Sequence, residues 1–208
     1  MKQLIILMVF GSIAVAQAQT LEKTIQNAGV STNVSILEYT ARGYFEPYLT
    51  FGASNKQLLL ATTILAGSNL GYQSPQSLRL SGGRIGYRFW PGSSNENWNF
   101  HVSVDMRLQR LKDLWNANLY NESKSDYQEY NLKTIELLLE NHVGYGLVFN
   151  INEFCSISQG VGLGWYLSNL DVTAANTNAH LADIVDYRGY DDIGFLWNIR
   201  FEISYKLK

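Results

Sequence analysis

The chain has 208 residues, a formal net charge of −2, 46% hydrophobic residues and one cysteine. That length suits a single domain, the near-neutral charge argues against a nucleic-acid partner, and a lone cysteine excludes an intramolecular disulfide. A mean hydropathy of −0.11 does not exclude a membrane protein, because barrel strands hide their apolar face behind alternation.

Residues 1–18 read as a secretory signal peptide, with Lys2 as the positive start, an apolar run over 4–15 and the small-residue cleavage site Ala16-Gln17-Ala18. The barrel domain is then 19–208, beginning at Gln19. No apolar run long enough for a transmembrane helix follows. No cysteine lies near the cleavage site to carry a lipid.

The N-terminal third predicts strands over 30–39, 44–51 and 56–66, with Ala53-Ser54-Asn55 as a turn. Pro47 requires a strand position that needs no N–H donor. The strand 78–90 changes phase at Gly82-Gly83, the mark of a β-bulge. In 98–109, Trp98, Phe100, Val102, Val104, Met106 and Leu108 alternate with Asn99, His101, Ser103, Asp105, Arg107 and Gln109. A polar stretch over 113–130 predicts a long exposed loop. Strands 131–149 and 154–167 follow, joined by the turn 150–153, and Cys155 takes an outward position as a small hydrophobe. A second polar loop covers 171–192.

The last strand is the clearest. Ile193, Phe195, Trp197, Ile199, Phe201, Ile203, Tyr205 and Leu207 alternate with Gly194, Leu196, Asn198, Arg200, Glu202, Ser204 and Lys206. Side chains on a strand point to opposite faces with period two, so one face is apolar and aromatic, the other polar with Leu196 as the exception. Together the pattern predicts an all-β fold: an antiparallel transmembrane β-barrel of about eight strands, with short periplasmic turns and longer extracellular loops.

An inverted barrel, polar inside and apolar outside, is favoured over a soluble one. Ser156, Ser158, Gly160, Gly162 and Gly164 form a small face that makes room in a narrow lumen but packs nothing against water. The aromatic residues fall at two depths. Trp90, Trp98, Phe149 and Tyr205 are expected in a periplasmic girdle, and Trp165 and Trp197 in an outer one.

In this pattern the mature chain resembles the small outer-membrane β-barrel proteins, the OmpA-like and OmpX-like barrels. The terminal run 201–207 looks like the strand signal read by the barrel-assembly machinery, but ends on Leu207-Lys208 instead of an aromatic residue, which is similar to barrels of the Bacteroidota.

The inward faces place Arg84, Arg88, Asp105, Arg107, Glu136, Glu140, Arg200, Glu202 and Lys206 in the lumen. Arg84 and Arg88 are expected to face Asp105, and Arg200 and Glu202 to meet Glu140 and Arg107, as a paired network that closes the barrel. The alternative is an ion path or gate. His101-Val102-Ser103 resembles the His-x-Ser pair of PagL-type lipid A deacylases but lacks the Asn-Ala that follows it there, and both side chains face the lumen instead of lipid. His142 is expected as a lumen hydrogen-bonding group and His180 as a loop residue. No metal-ligand spacing and no phosphate loop is present, so no metal, cofactor or catalytic residue is expected. The expected role is structural or interaction-based, with a narrow channel as the first alternative and a lipid-modifying enzyme as the second. The expected partners are outer-membrane lipid, the assembly machinery and an envelope protein met through loops 113–130 and 171–192.

Overall fold

The computed structural model describes residues 25–38, 40–53, 55–68, 79–91, 97–121, 126–174 and 191–207, with backbone alone at 68, 113–121, 126–131, 173–174 and 191. The proposed signal peptide and His180 lie outside the described residues.

Eight strands run in order: β1 (Ile25–Leu37), β2 (Thr40–Ala53), β3 (Lys56–Ser68), β4 (Arg79–Phe89), β5 (Trp98–Asn121), β6 (Asp126–Asn150), β7 (Cys155–Ala174) and β8 (Asp191–Lys206). Each pairs antiparallel with the next, and β8 pairs with β1 to close the barrel. Closure leaves no free edge along the barrel wall.

The alternation in β8 sets which face is inside. Phe195 is 77% exposed and Trp197 59%, whereas Arg200 is 3% and Glu202 2%. The apolar face is therefore the outer surface and the polar face fills the lumen. On β5 the six outward residues from Trp98 to Leu108 are uncharged, and the charged Arg110 and Lys112 come only above them. Those ten residue steps, at about 3.3 Å each and tilted by about 40°, span roughly 25 Å.

The phase change in β4 is a bulge. Thr63 pairs with Gly82 and Ile64 with Leu80, so Ser81 is the extra residue and turns into the lumen. Gly82 is required there, since a β-carbon would lie 1.9 Å from the Leu108 carbonyl oxygen. Pro47 sits where the β2–β3 ladder lapses, between the pairs Phe45–Ile64 and Tyr48–Ala61, so its missing N–H costs that ladder nothing.

Three expectations need correction. The described residues of the stretch 113–130 are not a loop: β5 and β6 stay paired from Asp113–Thr134 to Asn121–Asp126. Beyond the apolar belt both faces of a ribbon can be polar, so alternation fades while the backbone ladder continues. The same holds for 171–174 of β7 and 191–192 of β8. β1 and β2 also begin earlier than the sequence suggested. Finally, the β1–β2 connection over 38–39 is short yet lies at the end away from the termini, so one connection at that end is not long.

Candidate functional site: a charge-filled lumen

Inward parity brings side chains from all eight strands to the barrel axis, where two ion-paired tiers form. In the tier farther from the termini, Arg107 and Glu140 are register partners on β5 and β6, with Nη1 2.5 Å from Oε2. Arg107 Nε also reaches Glu46 Oε1 at 2.7 Å, and its guanidinium lies 4.4 Å from the Tyr44 ring centroid. Thr63 donates to Glu46 at 2.9 Å, and Asn33 donates to its other oxygen. Ser35, Tyr44 and Gln109 donate to Glu140. These neutral donors satisfy the remaining carboxylate lone pairs, the condition under which a buried charge is tolerated.

In the tier nearer the termini, Arg200 Nη1 meets Asp105 at 2.9 Å and its Nε meets Glu202 at 3.2 Å. Arg88 Nη2 lies 2.5 Å from Glu202, and Ser158 donates to the other Glu202 oxygen. His142 Nε2 is 3.4 Å from Asp105.

Arg84 joins the tiers. Its guanidinium lies 3.2 Å from Glu46, 3.6 Å from Glu202 and 3.9 Å from Asp105. None of these contacts has hydrogen-bond geometry, so Arg84 is held by the surrounding negative charge instead of by directed bonds.

At the end away from the termini, Arg42 pairs with Glu136 at 2.9 Å, and Ser168 donates to Glu136. Beside that pair an apolar layer of Leu37, Leu138, Tyr166 and Leu196 lies fully inside the lumen. The arginines in these pairs are Arg42, Arg84, Arg88, Arg107 and Arg200, and the carboxylates are Glu46, Asp105, Glu136, Glu140 and Glu202. Five positive charges thus meet five negative ones, and the described lumen is electrically balanced.

All eight residues expected in the charge network face the lumen, but their partners differ from the expectation. Arg84 does approach Asp105. Arg88 does not pair with it and turns to Glu202, because its register partner on β5 is Ser103. Arg200 and Glu202 pair with each other and with Asp105, Arg88 and Arg84, not with Glu140 and Arg107, which form the other tier. The expected inward residue Lys206 is exposed at the mouth.

Glu46 and Arg42 were missed. Arg42 precedes the predicted strand, and Tyr44 and Tyr48, counted as apolar, disguise the period-two pattern around Glu46. Its flanking outward residues, Phe45, Pro47 and Leu49, carry the available signal.

Of the expected girdle residues, Trp98 (50% exposed), Phe149, Trp165, Trp197 and Tyr205 lie on the outer face. Trp90 does not. It follows the inward series Arg84, Gly86, Arg88, and its ring packs 5.3 Å from that of the buried His101. Phe89 holds the outward position beside it.

His101 and Ser103 are each 1% exposed inside the barrel. The Ser103 hydroxyl accepts a hydrogen bond from Arg200 at 3.1 Å, and neither His101 ring nitrogen has a hydrogen-bond partner. The pair lacks the nucleophile–base contact and access to lipid that deacylation needs. Among the described residues no group of three or more His, Cys, Asp or Glu side chains could hold a metal ion.

At the termini-bearing mouth a cavity of about 220 Å³ opens below Arg88 and Glu202, lined also by Gln57, Trp90 and Lys206. It ends on the Arg88–Glu202 pair.

No protein-family model and no curated protein matches the chain. Among solved structures it is similar to Neisserial surface protein A (NspA), at 9% identity over 88% of this chain and 96% of that one, with a TM-score of 0.40. It is also similar to Acinetobacter baumannii CarO, at 11% identity over 86% and 97%, with a TM-score of 0.33.

Proposed function

We propose that this chain is an integral outer-membrane barrel with a plugged lumen and a structural or interaction role in the envelope, alone or as a subunit of a larger complex. The single observation that carries this is the inversion of the barrel. Paired arginines and carboxylates fill the inside, while a belt of apolar side chains roughly 25 Å tall covers the outside. In water such an exterior is a large apolar patch; in a bilayer it is the solvated surface.

On this reading residues 1–18 direct export and are removed, and both ends of the barrel domain face the periplasm. Trp98, Phe149 and Tyr205 sit at one lipid interface and Trp165 and Trp197 at the other. The belt contacts lipid, the assembly machinery reads the last strand, and the segments 113–130 and 171–192 serve an envelope protein as its docking surface outside the cell. No residue is assigned a catalytic role.

The test is planar-bilayer conductance of the refolded mature protein, with heat-modifiable gel migration as the check on folding. Folded protein without conductance steps agrees with the plug. Steady conductance replaces this reading with a narrow channel, and failure to insert in any lipid returns the barrel to water.

A further inference from the structure

The lumen mouth on the side of the termini holds the cavity of about 220 Å³ that ends on the Arg88–Glu202 pair. Six residues of its lining are buried, and five of them are engaged. Arg88 pairs with Glu202, Ser158 donates to Glu202 at 2.9 Å, the Tyr48 ring centroid lies 5.3 Å from the Arg88 guanidinium, and Thr50 accepts from Asn27 at 3.2 Å. The sixth, Gln57, is 7% exposed, and its carboxamide has no hydrogen-bond partner among the described residues. Its register neighbours explain why: Gly52 has no side chain, and Arg88 is turned to Glu202. Arg88 Nε is also unbonded, but it is shut off from solvent, whereas Gln57 lines the cavity. A buried carboxamide left without a bond is costly, and a molecule in the cavity that bonds it removes that cost.

The second observation is Trp90. It has left the lipid-facing position, which Phe89 holds, and lines the same cavity. Water alone satisfies Gln57 but gains nothing from an indole ring; a ligand with an apolar face does.

The lining also sets the charge and size of that ligand. Arg88 and Lys206 are offset by Glu202 and Glu153, which favours a neutral molecule. Six carboxamides and five hydroxyls supply donors and acceptors alike. The volume lies below the roughly 300–1,000 Å³ of sites for drug-sized ligands, so there is room for one ring. A pyranose sugar meets all of this, with hydroxyls round its edge and C–H groups on its faces.

We propose that the termini-side mouth is a binding site for one neutral pyranose, free or at the end of a glycan, with Gln57 bonded to its hydroxyls and Trp90 against its C–H face. The membrane-barrel reading enters only by giving the side of arrival, the periplasm.

The experiment refolds the mature chain in lauryldimethylamine oxide, a detergent without a sugar headgroup. Saturation-transfer NMR is recorded with D-glucose, D-galactose, D-mannose and N-acetyl-D-glucosamine, and with maltotriose and chitotriose, which carry two of these rings at a glycan end. At least one of these sugars should give a saturable signal. Gln57→Leu should raise its Kd about fivefold or more, the factor that one neutral hydrogen bond represents, with heat-modifiable migration intact. Gln57→Ala serves if the leucine variant migrates as unfolded. Gln159→Leu, which removes an exposed carboxamide of the outer face, should leave the Kd unchanged. A trisaccharide bound more tightly than its monosaccharide assigns a glycan end; equal or weaker binding assigns a free sugar. No saturable signal from folded protein, or one that the Gln57 variants leave unchanged, reduces the cavity to a water-filled vestibule and overturns the site while the membrane barrel stands. Gln57-dependent binding by protein that never inserts into lipid vesicles keeps the site and overturns the membrane reading.

Discussion

The ring of Tyr166 on β7 occupies the space that a β-carbon would need at its register partner Gly194 on β8: such a carbon would fall 2.6 Å from Tyr166 Cε1. The hydroxyl, carried over the glycine in this way, reaches Asp192 Oδ2 at 2.8 Å, and the ring completes the apolar layer with Leu37, Leu138 and Leu196. Tyr48 and Gly29 repeat the arrangement across β1 and β2.

Gly194→Ala should therefore push the ring off its seat, break the bond to Asp192 and loosen the apolar layer. The expected loss is about 1–3 kcal/mol, the usual cost of forcing a group into packed space. Gly67→Ala is the matched control, since a β-carbon there meets nothing within 4 Å. Urea unfolding in lipid vesicles measures both, and equal midpoints for the two variants would contradict the packing argument.

The centre of the lumen predicts a larger effect. Glu46 is the carboxylate that both Arg84 and Arg107 approach, at 3.2 and 2.7 Å. Glu46→Gln keeps the shape and removes the charge, leaving the two guanidiniums short of one counter-charge. Breaking one side of a buried pair costs about 3–5 kcal/mol. Thr63→Val, which removes only a neutral donor to the same carboxylate, should cost about 1–3 kcal/mol. If urea midpoints show Glu46→Gln no worse than Thr63→Val, the charge balance is not what holds the lumen.

How much of this was legible follows from the physics of each face. Strands over the belt announced themselves, because outward-facing and lumen-facing positions differ in chemistry: Ile199, Phe201 and Ile203 against Arg200 and Glu202. The 113–130 ribbon did not, because outside the belt neither face demands apolar residues. Eight of the ten paired lumen charges could be named by parity, Arg42 and Glu46 being the exceptions, yet their pairing could not. Whether Arg88 meets Asp105 or Glu202 depends on the stagger of strands around the closed barrel, and the chain order of β4 and β8 says nothing of their distance across the lumen. The inward apolar layer was visible only as the odd leucine at 196.

The placement of Trp90 gives an optical test. In variants that keep one tryptophan each, with the others replaced by phenylalanine, Trp98 and Trp197 should be quenched by brominated lipid acyl chains, being 50% and 59% exposed on the outer face. Trp90, turned to the mouth against His101, should be quenched weakly by the lipid and more readily by iodide or acrylamide in water. Equal lipid quenching of Trp90 and Trp98 would return Trp90 to the periplasmic girdle beside Trp98.

The two arginines at the meeting of the tiers also predict how the plug can be opened. Arg84 and Arg107 are both fully buried, and their side chains cross the lumen between β4, β5 and the facing β2. Arg84→Ala with Arg107→Ala removes that bulk and leaves Glu46, Asp105, Glu140 and Glu202 in place with two fewer positive charges among them. A path opened there is lined by excess negative charge and should pass cations over anions, as acidic rings do in cation pores. Glu46→Ala with Glu140→Ala leaves the arginines in excess, and its selectivity should be anionic. Reversal potentials in a salt gradient measure the sign, on protein shown to be folded by heat-modifiable migration. Opposite signs in the two double variants, against a silent parent, place the barrier at this level of the lumen. The same sign in both, or a parent that already conducts, puts the conducting path somewhere other than between these side chains.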